Sequence, residues 1–219
     1  PIYYTMPVGD QAFAFGSFDF NHRYYDTDVM VSLAKMKNHD ICGITLSMKN
    51  MFGAIPNALY ADPGNENTTS AKGNLHNGNE NEEMPGIQLP VLRPGNAGYR
   101  LPRIITDICR ARPIDLAIID GITSMSGGEG EWNGSQLALT CPNLLVAGRN
   151  CVCTDSVGAA LMGFDPQALG WTKPFYNGDN TFQMATDRWL GTNDLSKIEV
   201  VGLGIDEARY SYMPGADKS

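Results

Sequence analysis

The chain has 219 residues, is 42% hydrophobic and 18% charged, and carries a net charge of −8 with a pI near 4.8. This balance suits one globular domain over residues 1–219 and excludes a predominantly disordered chain. It also excludes a general nucleic-acid surface, which needs clustered Lys and Arg, and no run approaches the roughly 18 apolar residues of a membrane span.

Residues 1–27 are aromatic and irregular. Phe13, Phe15, Phe18 and Phe20 partly alternate with small or polar residues, which predicts an edge strand or ribbon with packed rings. His22-Arg23 reads as a local cap or pair. Asp28 to Leu33 is an apolar run of strand length. Lys35, Lys37 and His39 follow at alternating positions in what reads as a polar loop. Residues 44–53 then read as a helix, capped by Thr45 and stopped by Gly53 and Pro56.

Residues 57–99 are rich in Asn, Gly and Glu, which is long for a connection and predicts an inserted loop or lid. Leu101 to Arg112 reads as an amphipathic helix. Asp115 to Ile119 reads as a second buried strand ending in Asp120-Gly121. Asn143 to Gly148 reads as a third strand, followed by the polar stretch Arg149–Asp155 and a helix from Ser156 to Met162. A last helix is expected over residues 179–191, a fourth strand over Ile198 to Leu203, and then an acidic tail. Trp132, Trp171 and Trp189 read as core or lid aromatics.

Strands separated by helices predict an α/β fold: a largely parallel sheet flanked by helices, with one long Asn/Gly-rich insertion. Such a sheet places its ligand at the carboxyl ends of its strands. Three expected strand ends carry polar chemistry: Lys35 to His39, Asp120, and Arg149 to Asp155.

In extended chain Lys35, Lys37 and His39 share one face. With Thr45 and the free N–H groups of the next helix they form an anion cradle for phosphate or carboxylate. The plainer alternative is a solvated loop with a structural His. Lys49 and Asn50 follow on the helix, where Asn50 either contacts ligand or bridges backbone groups. Asp120 binds a cation, acts as a base, or pairs with Lys35 or Lys37. Gly127, Gly128 and Gly130 permit a tight loop with inward N–H groups, without the Gly-Lys-Ser/Thr ending of a phosphate loop.

Five cysteines (Cys42, Cys109, Cys141, Cys151 and Cys153) make no disulfide framework, and no CxxC or other iron–sulfur motif occurs. Cys151, Cys153 and Asp155 alternate. Together with His39 or His76, the thiolates could hold a divalent metal such as zinc or iron. Otherwise they are small core thiols, with Asp155 as a helix N-cap and His76 as a solvated loop residue. Catalytic roles fall to Lys37, His39, Asp120 and Asp155, and ligand contacts to Lys35, Thr45, Lys49, Asn50, Gly128 and Arg149. Pro1 stands without an initiator Met, so the chain reads as a piece of a longer product.

The stretches HRYYDTDVMVSLAKMKNHDICGITLSMKNMFG, RPIDLAIIDGITSMSGGEG, LLVAGRNCVCTDSVGAALMGFDP and LGTNDLSKIEVVGLGI together resemble the domain-of-unknown-function family numbered 362, in order from about residue 20 to 206. The Lys-x-Lys-x-His and Lys-Asn-x-Phe-Gly elements carry most of the specificity. The resemblance implies a further amino-terminal α/β portion, so that this chain is the carboxy-terminal part of the fold. It also implies redox chemistry with a ferredoxin-like electron-transfer partner, because many members are fused to such domains. Twin-arginine export to the periplasm or beyond is implied as well, with a cytoplasmic location as the alternative. The family often has Gly-Pro where this chain has Gly130-Glu131, and often Asp where it has Asn150, whereas Asp155 is kept.

The leading expectation is therefore an α/β protein that binds an anionic small molecule at the strand ends, linked to redox or metal chemistry. The alternative is a non-catalytic extracytoplasmic protein, able to assemble as an oligomer. It would use the insertion and the aromatic amino-terminal region as contact surfaces.

Overall fold

The computed structural model describes residues 2–61, 72–77, 96–130 and 137–215. Most of the Asn/Gly-rich insertion, and Trp132, lie outside the described residues. The chain opens with an antiparallel hairpin, β1 (Tyr3–Pro7) and β2 (Ser17–Asn21), followed by the short helix α1 (His22–Asp26). The aromatic ribbon is thus realised, with Phe18 and Phe20 wholly buried. The loop between the strands is pinned by Asp107, whose carboxylate accepts from the amides of Phe13, Ala14 and Phe15.

The main sheet has five strands: β3 (Val31–His39), β4 (Gly43–Thr45), β5 (Leu116–Ser126), β6 (Ala138–Thr140) and β7 (Leu144–Gly148). The central pair, β3 with β5, is parallel, while β4 on β3 and both β6 and β7 on β5 are antiparallel. The α/β class holds, with a mixed sheet built on a parallel centre.

β3 runs six residues beyond the apolar stretch that announced it. Lys35, Lys37 and His39 are strand residues, because β5 on one side and β4 on the other supply ladder partners. Thr45 lies in β4 and caps nothing. The helix begins two residues later as α2 (Ser47–Asn50), continued by a 3-10 turn over Met51–Ala54. Two further short helices follow, α3 (Asn57–Tyr60) and α4 (Gly73–His76).

α5 (Ala97–Ala111) starts earlier than expected because the Asn96 side chain caps it, accepting from the Gly98 amide. Pro102 sits inside this helix and cannot donate to the Gly98 carbonyl four residues back. That carbonyl is instead taken by the Asp179 amide at 2.9 Å. The Asp179 carboxylate meets the buried Arg103 at 2.7 Å and the Trp171 indole at 2.9 Å, so one polar knot ties α5 to the loop before α7.

α6 (Cys151–Leu161) begins five residues before the expected Ser156, because Asn150 is its N-cap and accepts from the Cys153 amide. α7 (Thr181–Asp187) is shorter than the expected 179–191. Asn180 caps its start, and Trp189 at φ 57° lies beyond its end. Ile198 to Leu203 forms no strand. It follows a 3-10 turn at Leu195–Lys197, makes no ladder among the described residues, and leads into α8 (Ile205–Ala208). Its Val201 is 89% exposed, so it lacks the neighbouring strand that its composition asks for.

Alternation sorts the sheet's two faces. Ser32, Ala34 and Met36 of β3, and Ala117 and Ile119 of β5, are buried beneath α2, α5 and α6. Val31, Leu33, Ile122 and Leu145 are exposed, and among the described residues no helix covers that second face.

Candidate functional site

Side chains of β3 at odd positions point to the open face, and the strand changes register between Lys35 and Lys37. Before this irregularity Lys35 reaches Asp120 at 2.5 Å and the Thr123 carbonyl at 3.0 Å. The Lys35 ammonium beside it, helped by the Ile122 amide, holds the Asp120 carboxyl below its ordinary value. Both groups are well exposed. Asp120 is thus engaged in an ion pair on the sheet surface, the pairing reading of this residue.

Beyond the irregularity the environment closes. His39 is 8% exposed. Its Nδ1 accepts from the amides of Ile41 and Cys42 at 3.1 and 3.2 Å. The ring proton therefore belongs on Nε2, which donates to Glu129 at 2.7 Å. Burial, opposed by the Glu129 hydrogen bond, lowers the His39 pKa to about 4, so the ring is neutral near pH 7. Glu129 comes from the glycine-rich turn after β5. The same turn is anchored by the Gly127 amide, which donates to Asn38 Oδ1 at 3.1 Å, and Gly128 is buried within it.

Lys37 is held below its ordinary pKa by burial first; Glu129 pulls the other way and Lys49 adds to the depression. Thr45 lies opposite Lys37 in the β3–β4 ladder. Its buried Oγ1 has no hydrogen-bond partner among the described residues. Lys49, from α2, stands over the Phe52 ring at 4.2 Å. Lys72 stands 4.8 Å from the same ring and donates to the Phe52 carbonyl. Burial, followed by Lys49, lowers the Lys72 pKa to about 8. His76 Nδ1 lies 2.9 Å from the Lys72 carbonyl, and its ring meets the edge of Phe52. Burial lowers the His76 pKa as well.

Lys49 is thus within electrostatic reach of Lys37, His39, Lys72 and His76, and Glu129 within reach of Lys37, His39 and His76. Lys49, Lys72 and His76 meet at the Phe52 ring, and Lys49 also acts on Lys37 and His39, which interact with Glu129 in a partly dehydrated recess. Lys72 was not singled out from the sequence. It sits in a stretch that reads as solvated insertion, and only its contacts with Phe52 reveal it.

Asn50 takes its bridging role, donating to Ser32 Oγ and the Leu33 carbonyl. Asp155 does not cap its own helix. It lies buried on α6 and accepts from the Ser47 amide at 2.9 Å, the Ser47 hydroxyl at 2.5 Å and the Met48 amide at 2.9 Å. It thus caps α2 across space and positions the helix that carries Lys49. Burial pushes its pKa up to about 7, against those three hydrogen bonds. Asp155, Lys49, Cys42 and Thr181 also line one small cavity.

Arg149 and Cys153 lie elsewhere. Because β7 is antiparallel to β5, Gly148 pairs with Ala117 near the start of β5, not with its carboxyl end. The expected convergence of three strand ends thus loses its third member, and Asp120 lies within β5 and not at its end, because the strand runs on to Ser126. Arg149 and Cys153 instead line a groove of about 480 Å³ between β7, α6 and residues 198–203. Cys151 faces the core, and His76 stays beside Phe52. Among the described residues no group of three or more His, Cys, Asp or Glu is placed to hold a metal ion.

A family model described as Domain of unknown function (DUF362) matches residues 2–160. No curated protein and no solved structure matches the chain.

Proposed function

We propose that this chain, which belongs to the family described as Domain of unknown function (DUF362), binds an anionic small molecule in the recess formed by Lys37, His39, Lys49 and Lys72. One observation carries the reading: Lys49 acts on both Lys37 and Lys72, and burial already disfavours the charged forms of those two. Like charges brought together in a half-buried site repel, and a bound anion relieves that repulsion. The orphaned Thr45 hydroxyl opposite Lys37 supplies a donor for the same ligand.

His39 is fixed as the Nε2–H tautomer with both ring nitrogens engaged, so it holds Glu129 in place beside Lys37. Lys35 and Asp120 lie on the adjoining face as an ion pair and take no direct part. Asp155 acts through α2 as a positioning residue. A redox role with a ferredoxin-like partner, and twin-arginine export, rest on the family resemblance. No protein-borne metal set supports the redox role among the described residues.

Titration calorimetry with inorganic phosphate and with citrate tests the site. Wild type is expected to bind at least one of them, and Lys37→Ala and His39→Ala to lose that binding while keeping the native circular-dichroism spectrum. Unchanged binding in both variants would sink the assignment.

The open sheet face favours a second reading, a non-catalytic protein that associates with a second copy of itself. Val31, Leu33, Ile122 and Leu145 are apolar and exposed there, and the neutral Lys35–Asp120 pair at their centre is electrostatically self-complementary. Sedimentation at rising protein concentration is expected to show dimer on this reading, and Leu33→Lys to abolish it. A monomer throughout removes it.

A further inference from the structure

The groove of about 480 Å³ beside β7 takes no part in the anion recess, and its two walls are of one kind. All five residues of β7 line it. Successive side chains of a strand point to opposite faces, so a groove on one face would meet alternate residues. Contact with five in a row means that the groove runs along the free edge of the strand. Among the described residues β7 pairs only with β5, so the N–H and C=O groups on its other edge have no ladder partner.

The far wall, residues 198–203, also meets the groove along its whole length. Its backbone is extended at Ile198 and bends at Gly202, where φ is 104°. Among the described residues the backbone of 199–203 makes no hydrogen bond. The wall is nevertheless anchored at both ends of α6. Asn150 donates to the Leu190 carbonyl at 2.7 Å, and the Tyr210 amide donates to the Leu161 carbonyl at 2.8 Å. One side of α6 forms the floor through Cys153, Thr154, Val157 and Leu161. Eleven residues of helix span about 16 Å, and five residues of strand about 17 Å. Two unmatched strand edges thus face each other across one helix, over the length of a short strand.

We propose that this groove binds an extended segment of a partner polypeptide, which enters between β7 and residues 198–203 and adds a strand to the free edge of β7. The segment is about five residues long, with apolar β-branched side chains at alternate positions against Val157 and Leu161. It carries a carboxylate beside Arg149, which lines the groove just past β7 and has neither a hydrogen bond nor an ion pair among the described residues. Glu199 on the far wall favours hydroxyl donors on the segment. An acyl chain of the same length would strip water from both backbone edges and replace none of the lost hydrogen bonds, whereas a peptide replaces them. The edge strand of a second folded copy brings its own sheet with it and cannot enter between the two walls, so the occupant is a lone extended segment. This site is independent of anion binding.

Two acetylated and amidated pentapeptides, Asp-Val-Thr-Val-Thr and Thr-Val-Thr-Val-Asp, cover both strand directions. The folded protein would be treated with iodoacetamide in the presence of each, and the rate of modification at every cysteine read by mass spectrometry. Cys153 is part-exposed in the groove, whereas the exposed Cys141 does not line it and serves as the control. At about 1 mM, one of the two peptides is expected to slow Cys153 modification about fivefold, a Kd of roughly 0.25 mM, and to leave Cys141 unchanged. Exchanging the central Thr of that peptide for Pro, which removes an N–H donor, is expected to abolish the protection. Arg149→Glu is expected to weaken it, and Lys in place of Asp in the peptide to restore it. The proposal is overturned if neither peptide protects Cys153, if the Pro peptide protects equally, if Cys141 slows in parallel, or if decanoate protects as well as the peptide.

Discussion

Asp155→Ala is expected to lower the stability of the folded chain by about 3–5 kcal/mol, measured by urea unfolding at neutral pH. The carboxylate accepts three bonds, from the Ser47 amide, the Ser47 hydroxyl and the Met48 amide. Truncation leaves all three donors buried and unpaired, and each costs about 1–3 kcal/mol. α2 is too short to hold its own first turn, since a four-residue helix has almost no internal hydrogen bonds to lose. Lys49 therefore loses its position, and anion binding falls with stability. Asp155→Asn keeps an acceptor and is expected to cost less. If Asp155→Ala unfolds at the wild-type urea concentration, Asp155 does not hold α2.

The pH dependence separates this carboxyl from its neighbours. Its folded pKa, about 7, lies above the 3.8 of an ordinary aspartate. Below pH 4 it is protonated in both states. As pH rises from about 4 to 7 the unfolded state binds fewer protons than the folded state, so this contribution to stability is lost. His39 runs the other way: its pKa falls from 6.5 to about 4, so its contribution is present above pH 6.5 and lost as pH falls through 4. Asp107, raised to about 6, adds to the slope of Asp155. Wild-type stability alone thus mixes opposing slopes. The difference between wild type and Asp155→Asn isolates one of them, and the cost of the substitution should shrink between pH 4 and 7.

Some of this was legible in the sequence. Apolar runs of strand length announced β3, β5 and β7, and the Lys-x-Lys-x-His spacing located two of the recess residues. The rest depended on tertiary pairing. β3 continues through three cationic or imidazole side chains because its neighbours complete the ladder, which outweighs local polarity. The direction of β7 cannot be read from its composition, yet that direction carries Arg149 and Cys153 away from the recess. Residues 198–203 have strand composition without a paired neighbour. The Asp155–Ser47 cap links positions far apart in sequence, and no local cap signature reveals it. Lys72 escaped for the same reason: its significance lies in Phe52, twenty residues earlier.

The recess makes its own prediction about protons. Lys49→Ala is expected to weaken phosphate binding by about 10–100-fold, since a charge-assisted hydrogen bond contributes about 1.5–3 kcal/mol. It should also act on its neighbours, because Lys49 depresses both Lys37 and Lys72. With a pKa of about 8, the Lys72 ammonium is partly deprotonated above that pH in the empty recess. An anion stabilises the charged form and raises that pKa, so binding at pH 9 takes up protons, whereas binding at pH 6 takes up none. Affinity accordingly falls as pH rises past 8. Calorimetry in two buffers of different ionisation enthalpy reads the uptake directly. In Lys49→Ala, with one repelling charge gone, the Lys72 pKa climbs and the uptake at pH 9 shrinks. Binding that ignores pH between 6 and 9, or phosphate affinity unchanged in Lys49→Ala, would place the anion somewhere other than among these lysines.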